Sequence, residues 1–192
     1  MKIAVDLDGT LFPTYEVLGK IFLEIFGEEI DWRSFKLKNG NCLETEQDRW
    51  LKRRLKDEKF FESLTVMPYA RGALNYLVNS GNGINQIIYW TARPSSMEKA
   101  TIHSFQANRL PFGKVYHVNR KDAALRKLNI ARAEKVEVAI EDESEVAERL
   151  SKFCKVILFH NPYNSHCLYG TRIYSWKDIR NFYDSTKGVI LR

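Results

Sequence analysis

Asp6-Leu7-Asp8-Gly9-Thr10 sets two carboxylates two residues apart, directly after the apolar run Lys2-Ile-Ala-Val5. Two carboxylates held close repel, so one takes up a proton or both share a cation. The pair suits a nucleophile and a proton donor beside a magnesium ion, which prefers oxygen ligands. Gly9 permits the tight turn such a site needs. The same residues would also serve as an acidic turn or a helix cap. In Trp90-Thr91-Ala92-Arg93-Pro94, a hydroxyl and backbone N–H groups at a strand-to-helix turn form a phosphate-holding arrangement. The stretch reads equally as an N-cap threonine before a Pro-initiated helix. Lys121 follows Asn119-Arg120 and opens a helix, from which an ammonium reaches a strand-end phosphate. Taken singly it is a solvated surface lysine. Glu141-Asp142 are adjacent carboxylates after a buried strand, which is costly unless they serve a cation or a helix start.

These groups act together only if the fold gathers them, and the pattern between them suggests how. After Pro68, helices are expected over Tyr69–Ser80, Ser95–Asn108, Lys121–Leu128, Glu143–Lys152 and Trp176–Tyr183. Strands are expected over Ile84–Trp90, Lys114–Val118, Glu137–Ile140 and Val156–Phe159, with Gly81-Asn82-Gly83 closing the first helix. Strands joined by crossover helices imply a parallel α/β sheet, in which ligands sit at the carboxyl ends of the strands. All four stretches fall at such ends or just after them. Residues 14–66 differ. Val17, Leu18, Ile21, Phe22, Ile25 and Phe26 recur at helical spacing with Gly27 as a stop, and a charged helix is expected between Glu44 and Lys59. This stretch reads as a helical insert.

Composition narrows the classes. The chain has 192 residues, enough for one domain with an insert and for a core without staples. Its 30 Lys and Arg against 24 Asp and Glu give a net charge of +6, a mild basicity that suits anionic partners. With 44% hydrophobic and 28% charged residues it is globular in composition. The uncharged window Gly72–Ala92 contains Asn75, Asn79, Ser80, Asn82, Asn85 and Gln86, so no membrane span is expected. The opening residues lack the long apolar region of a secretory signal. Cys42, Cys154 and Cys167 form no C-x-x-C pair, which argues against a disulfide framework or zinc knuckle and for a reducing, cytoplasmic setting.

The ordered set Asp6-Leu7-Asp8-Gly9-Thr10, Thr91, Lys121 and Glu141-Asp142 resembles the four motifs of the haloacid dehalogenase (HAD) superfamily. The resemblance implies a Rossmann-like parallel sheet flanked by helices, with a small helical cap inserted after the first strand. Residues 1–13 and 67–192 would be the core and 14–66 the cap. It implies that Asp6 attacks phosphorus and that Asp8 serves as acid and then base. Asp6, Asp8 through its carbonyl, and Asp142 would bind Mg2+, and Glu141 would support a metal-bound water. Thr91, Ala92 and Lys121 would hold the phosphoryl oxygens. Lys121 fits because it precedes Leu128-Asn129-Ile130 at the superfamily's usual spacing; Lys114 is the fallback.

A closer resemblance, over about residues 68–180, is to the cytosolic 5′(3′)-deoxyribonucleotidase family. Ile88-Tyr-Trp-Thr-Ala-Arg-Pro94, Leu110-Pro-Phe112, Ile157-Leu-Phe-His-Asn-Pro-Tyr-Asn164 and Arg172-Ile-Tyr-Ser-Trp176 carry it. Leu7-Asp8-Gly9-Thr10 is the general HAD form where many members of that family have M-D-G-V. The substrate implied is a small phosphomonoester, a (deoxy)nucleoside monophosphate. A phosphorylated nucleic-acid 3′ end, a sugar phosphate and a non-catalytic phosphate-binding role are the alternatives. Trp32, Phe35 and Trp50, with Phe60 and Phe61, are candidates to stack on a base from the cap, or else form the cap's own core. The basic segment 49–59 reads as a solvated helix face or a nucleic-acid contact.

Overall fold

The computed structural model describes residues 1–37, 43, 45–80, 85–118 and 120–190, with side chains through 184. Cys42, Asn119 and the stretch Gly81–Ile84 lie outside the described residues. Among those described, six strands form one parallel sheet: β1 (Lys2–Asp6), β2 (Gln86–Thr91), β3 (Lys114–His117), β4 (Val138–Glu141), β5 (Lys155–Phe159) and β6 (Thr171–Ile173). Their spatial order is β3-β2-β1-β4-β5-β6. The order reverses direction at β1, between β2 and β4, and a crevice opens at such a point beyond the strand ends. Register aligns the ends: Asp6 pairs with Trp90 across β1 and β2, and Val5 with Ile140 across β1 and β4. The short strand β6, missed in the sequence, pairs with β5 at the sheet edge.

Side chains alternate across the sheet because strand residues point to opposite faces. Ile3, Val5, Ile87, Tyr89, Val138, Ile140, Ile157 and Phe159 join one buried cluster. Ala4, Ile88, Trp90, Ala139, Val156 and Leu158 join the other. The second face is covered by α7 (Ala123–Glu134) and α8 (Ser144–Ser151), through Ala124, Ala131, Val146, Ala147 and Leu150. Against the first face lie α5 (Ala70–Asn79), α6 (Glu98–Ala107) and α9 (Asp178–Ile190), through Leu74, Leu77, Ala100 and Ile179.

Among the described residues, four helices run between β1 and α5: α1 (Thr14–Phe26), α2 (Trp32–Leu37), α3 (Thr45–Arg54) and α4 (Glu58–Ser63). Gly27 ends α1 at φ +69°, the left-handed cap expected of it. The single charged helix expected over 44–59 is two helices. Asp57 breaks it by capping α4, its carboxylate accepting from the N–H groups of Lys59 and Phe60. These helices share the first cluster with the sheet, through Leu18, Phe22, Trp50, Leu51, Phe60 and Phe61. Ser104 Oγ donates to the Phe61 carbonyl at 2.6 Å, and Asn108 bonds the backbone of Leu64 and Val66 at 2.9 and 3.0 Å. Among the described residues no helix is long and apolar enough to cross a membrane.

Candidate active site

β1 ends at Asp6, and the chain then turns sharply. The N–H groups of Leu11 and Phe12 both donate to the Leu7 carbonyl, and Gly9 N–H donates to Phe12 O at 2.9 Å. Gly9 sits at φ +90°, where a Cβ would collide with Asp142 Oδ2 and the Tyr163 hydroxyl. Only glycine fits both the backbone and the space. Trp176 Nε1 donates to Thr10 O and Asn161 Nδ2 to Gly9 O, each at 2.9 Å, so this loop is fastened from the far end of the chain. Arg172 in turn holds the turn at Pro162–Asn164, donating to Asn164 Oδ1 and to the Cys167 carbonyl at 2.8 Å. The P-Y-N and R-I-Y-S-W segments thus act as a buttress for the first motif.

Asp6 and Lys127 form the floor. Lys127 Nζ lies 2.5 Å from Asp6 Oδ1 and 2.7 Å from Glu141 Oε1, with all three side chains buried. Burial raises the Asp6 carboxyl above its ordinary range despite the adjacent ammonium. Glu141 is pushed up to about 8 by burial, with Lys127 opposing and Asp6 adding to the shift. The two anions on either side of Lys127 keep it charged although burial alone would lower its pKa. Glu141 Oε2 is buried with no hydrogen-bond partner among the described residues. Asp142 is also buried; it accepts from Thr10 Oγ1 at 3.2 Å and from the Tyr163 hydroxyl. Burial and the nearby Asp142 charge raise Tyr163 well above the usual phenol range, so it stays a neutral donor.

Asp8 faces the other way. Arg93 grips both its oxygens, Nε to Oδ2 at 2.8 Å and Nη2 to Oδ1 at 2.7 Å. Thr14 Oγ1 adds a bond at 2.6 Å and Thr91 Oγ1 one at 3.3 Å. Burial would raise this carboxyl, but the guanidinium and the two hydroxyls hold it below the usual range. Arg93 is itself buried, stacked on Phe61 of α4 at 4.2 Å and on Phe12 at 5.2 Å. A cleft of about 1020 Å³ opens above these groups, lined by Asp6, Asp8, Ala92, Arg93 and Lys127 among others.

The tertiary structure brings together Asp6, Asp8, Thr91, Ala92, Glu141 and Asp142, but it alters some expected placements. Lys121 is exposed on a short 3-10 turn, Arg120–Asp122, at the cleft wall. Lys127, in the second turn of α7, occupies the buried position beside Asp6 instead. The sequence carries a signal for it: Ala124, Lys127 and Ala131 share one face, so a lysine lies in an otherwise apolar stripe. The fallback, Lys114, pairs with Glu134 at 3.4 Å on the surface. Glu141 touches Lys127 directly and joins the acidic cluster, while the Asp8 side chain is taken by Arg93. Trp32, Phe35 and Trp50 do not line the cleft. Trp50 packs on Phe22 and Phe26, and Trp32 on Tyr15 and Phe35. The rings this region does present to the cleft are Tyr15 and Phe61. Lys52 of the basic segment pairs with Asp48 at 2.6 Å. Arg93 and Thr14 were not singled out from the sequence, because their role depends on meeting Asp8 from different parts of the chain.

One carboxylate oxygen each from Asp6, Glu141 and Asp142 lies within 4.8 Å of the other two. One lysine faces this cluster of buried acids, and the bare Glu141 oxygen adds an unmatched acceptor. An all-oxygen, electron-rich set of this kind fits a hard divalent cation.

The model of the family described as "5′ nucleotidase, deoxy (Pyrimidine), cytosolic type C protein" matches residues 1–187. No curated protein matches. Among solved structures, a haloacid dehalogenase-like protein from Agrobacterium tumefaciens aligns at TM-score 0.67 and 14% identity, covering 97% of this chain and 98% of that one. A haloacid dehalogenase-like hydrolase from Streptococcus pneumoniae aligns at 0.66 and 12% identity, covering 95% and 97%. The L-2-haloacid dehalogenase from Xanthobacter autotrophicus aligns at 0.60 and 10% identity, covering 95% and 98%. At these identities the likeness shows a shared fold.

Proposed function

The chain belongs to the cytosolic type C deoxy-5′-nucleotidase family of HAD hydrolases, and from that premise we propose that it is a magnesium-dependent, cytoplasmic phosphatase of (deoxy)nucleoside monophosphates that works through an aspartyl phosphate. The observation that carries this reading is the convergence of Asp6, Lys127, Glu141 and Asp142 at the strand ends, beneath an open cleft with Asp8 beside them.

Asp6 attacks phosphorus, the ester P–O bond breaks, and the nucleoside leaves with a proton from Asp8. Water then attacks the phosphoryl group on Asp6 while Asp8 takes the water proton, and inorganic phosphate departs with Asp6 restored. Arg93 tunes Asp8 for the second step by holding it ionised. For the first step Asp8 must carry a proton, so its grip on Arg93 must loosen as the phosphoryl dianion arrives. Lys127 offsets charge on the transferring oxygens. This role falls to Lys127 and not Lys121, since Lys127 alone of the two reaches Asp6. Thr91 and Ala92 offer further contacts on the same wall. Asp6, Glu141 and Asp142, with the Asp8 carbonyl, would hold the Mg2+, which when bound neutralises phosphoryl charge. Helices α1 to α4 act as a cap that excludes water from one side of the cleft.

The test is phosphate release from a panel of nucleoside 5′- and 3′-monophosphates, with magnesium and with EDTA. Turnover with magnesium only, abolished by Asp6→Asn with an unchanged circular dichroism spectrum, is the expected result. Undiminished turnover by Asp6→Asn would sink the mechanism.

A further inference from the structure

The cleft is larger and more basic than a single phosphomonoester requires. Its volume, about 1020 Å³, is at the upper end of the range for sites that enclose a small ligand. Above the floor its walls carry Lys52, Lys56, Arg120, Lys121, Arg126 and Arg149 against Asp122, Glu143 and Glu145. Some of these bases are already engaged: Lys52 with Asp48 at 2.6 Å and Arg149 with Glu145 at 3.1 Å. Arg120, Arg126 and Lys56 have no carboxylate partner among the described residues. They come from separate parts of the chain. Arg120 lies in the turn before α7, Arg126 in α7 itself, and Lys56 just after α3.

The transferred phosphoryl group is served by Lys127 on the floor. Lys127 is buried there, whereas Arg120 is exposed at the cleft wall, in the separate 3-10 turn seven residues earlier. One phosphate seated beside Lys127 therefore leaves Arg120 and Lys56 for a different anionic group. Unpaired cations converging on one cleft raise the local concentration of anions and select for charge at a fixed distance from the reacting centre.

We infer that the preferred substrate is a phosphomonoester whose leaving group carries a second phosphate, held by Arg120, Arg126 and Lys56. This rests on the proposed phosphatase reading and names its substrate class. Two sources share that chemistry: a free nucleoside 3′,5′-bisphosphate and the phosphorylated end of a short oligonucleotide.

The experiment measures kcat/KM for phosphate release, with magnesium, from a deoxynucleoside 5′-monophosphate, the matching 3′,5′-bisphosphate and a 3′-phosphorylated short oligonucleotide. At low salt the substrates that carry a second phosphate should be favoured about tenfold or more, and the advantage should shrink between about 50 and about 200 mM salt. Arg120→Ala with Arg126→Ala should lower kcat/KM for the bisphosphate about tenfold more than for the monophosphate. A preference for the oligonucleotide assigns the chain end as the source; a preference for the bisphosphate assigns the free nucleotide. Equal kcat/KM for singly and doubly phosphorylated substrates at low salt overturns the inference and leaves the phosphatase reading standing. Absence of release from every substrate overturns the phosphatase reading. In that case calorimetric titration of the same protein with the monophosphate and the bisphosphate decides: tighter, salt-sensitive binding of the bisphosphate supports the second phosphate site, and equal binding removes it.

Discussion

Lys127→Met is the substitution that most sharply separates the buried lysine from the exposed one. Methionine keeps an unbranched apolar stem in place of the lysine's, whose ammonium lies over Trp90, 5.7 Å from the ring centroid. What it removes is the charge lying 2.5 Å from Asp6 and 2.7 Å from Glu141, at a side chain only 2% exposed. Removing one partner of a buried ion pair costs about 3–5 kcal/mol, because the remaining charge has neither water nor a counter-ion. The two carboxylates can limit that loss by taking up a proton, and both already have raised pKa values. One extra bound proton changes the difference from the parent by about 1.4 kcal/mol per pH unit. The deficit should therefore be larger near pH 8 than near pH 6. Urea melts at the two pH values measure this directly. Under conditions where the variant is folded, kcat should fall about 100- to 1,000-fold, the scale for losing one stabiliser of transition-state charge. Lys121→Met, on the exposed turn, should change stability by no more than about 0.5 kcal/mol. A Lys127→Met protein that is as stable and as active as the parent, or a Lys121→Met protein that is the inactive one, would refute the assignment.

Three other outcomes follow from the same geometry. Arg93→Lys replaces a fork with a point charge, so one Asp8 oxygen loses its charged partner and keeps only a threonine hydroxyl; stability should drop by about 1.5–3 kcal/mol in thermal melts, with Asp8 titrating higher in the pH–rate profile. Glu141 is raised from 4.5 to about 8 in the folded protein, so its protonation stabilises the metal-free fold. That stability is complete below the unfolded value and is lost as pH rises through about 8; a falling melting temperature over this window, flattened in Glu141→Gln, is the expected record. Added magnesium should raise the melting temperature at the upper end of the window, because a cation replaces the proton. Gly9→Ala forces a side chain into φ +90° and into Asp142 and Tyr163. It should cost more than the about 1–3 kcal/mol of backbone strain alone and reduce the magnesium-induced rise, both readable in one calorimetric series.

Local pattern was enough for much of this protein. The apolar run before Asp6, the helical spacing of Leu18 and Phe22, and Gly27 as a stop specify β1 and α1, because periodicity and chain-termination chemistry act over a few residues. The alternation of strand and helix after Pro68 likewise implies a parallel sheet, and that places Asp6, Thr91 and Glu141 at one edge without any knowledge of distances. Tertiary structure decided what depends on which side chains meet. Lys121 and Lys127 are chemically identical and six positions apart; only the packing of α7 on the sheet turns one into the cleft floor and leaves the other on a surface turn. Arg93 and Asp8 lie 85 residues apart, so no local rule links them. The charged stretch over 44–59 became two helices because Asp57 found the N–H groups of α4. Phe35 and Trp50 went to the core and Trp32 packs half-buried against it, since covering large rings with Phe22, Phe26 and Tyr15 removes more apolar surface from water than an open cleft would. Composition and spacing determine which chemistry is available; the long-range contacts, which depend on the whole chain's packing, select the residues that carry it.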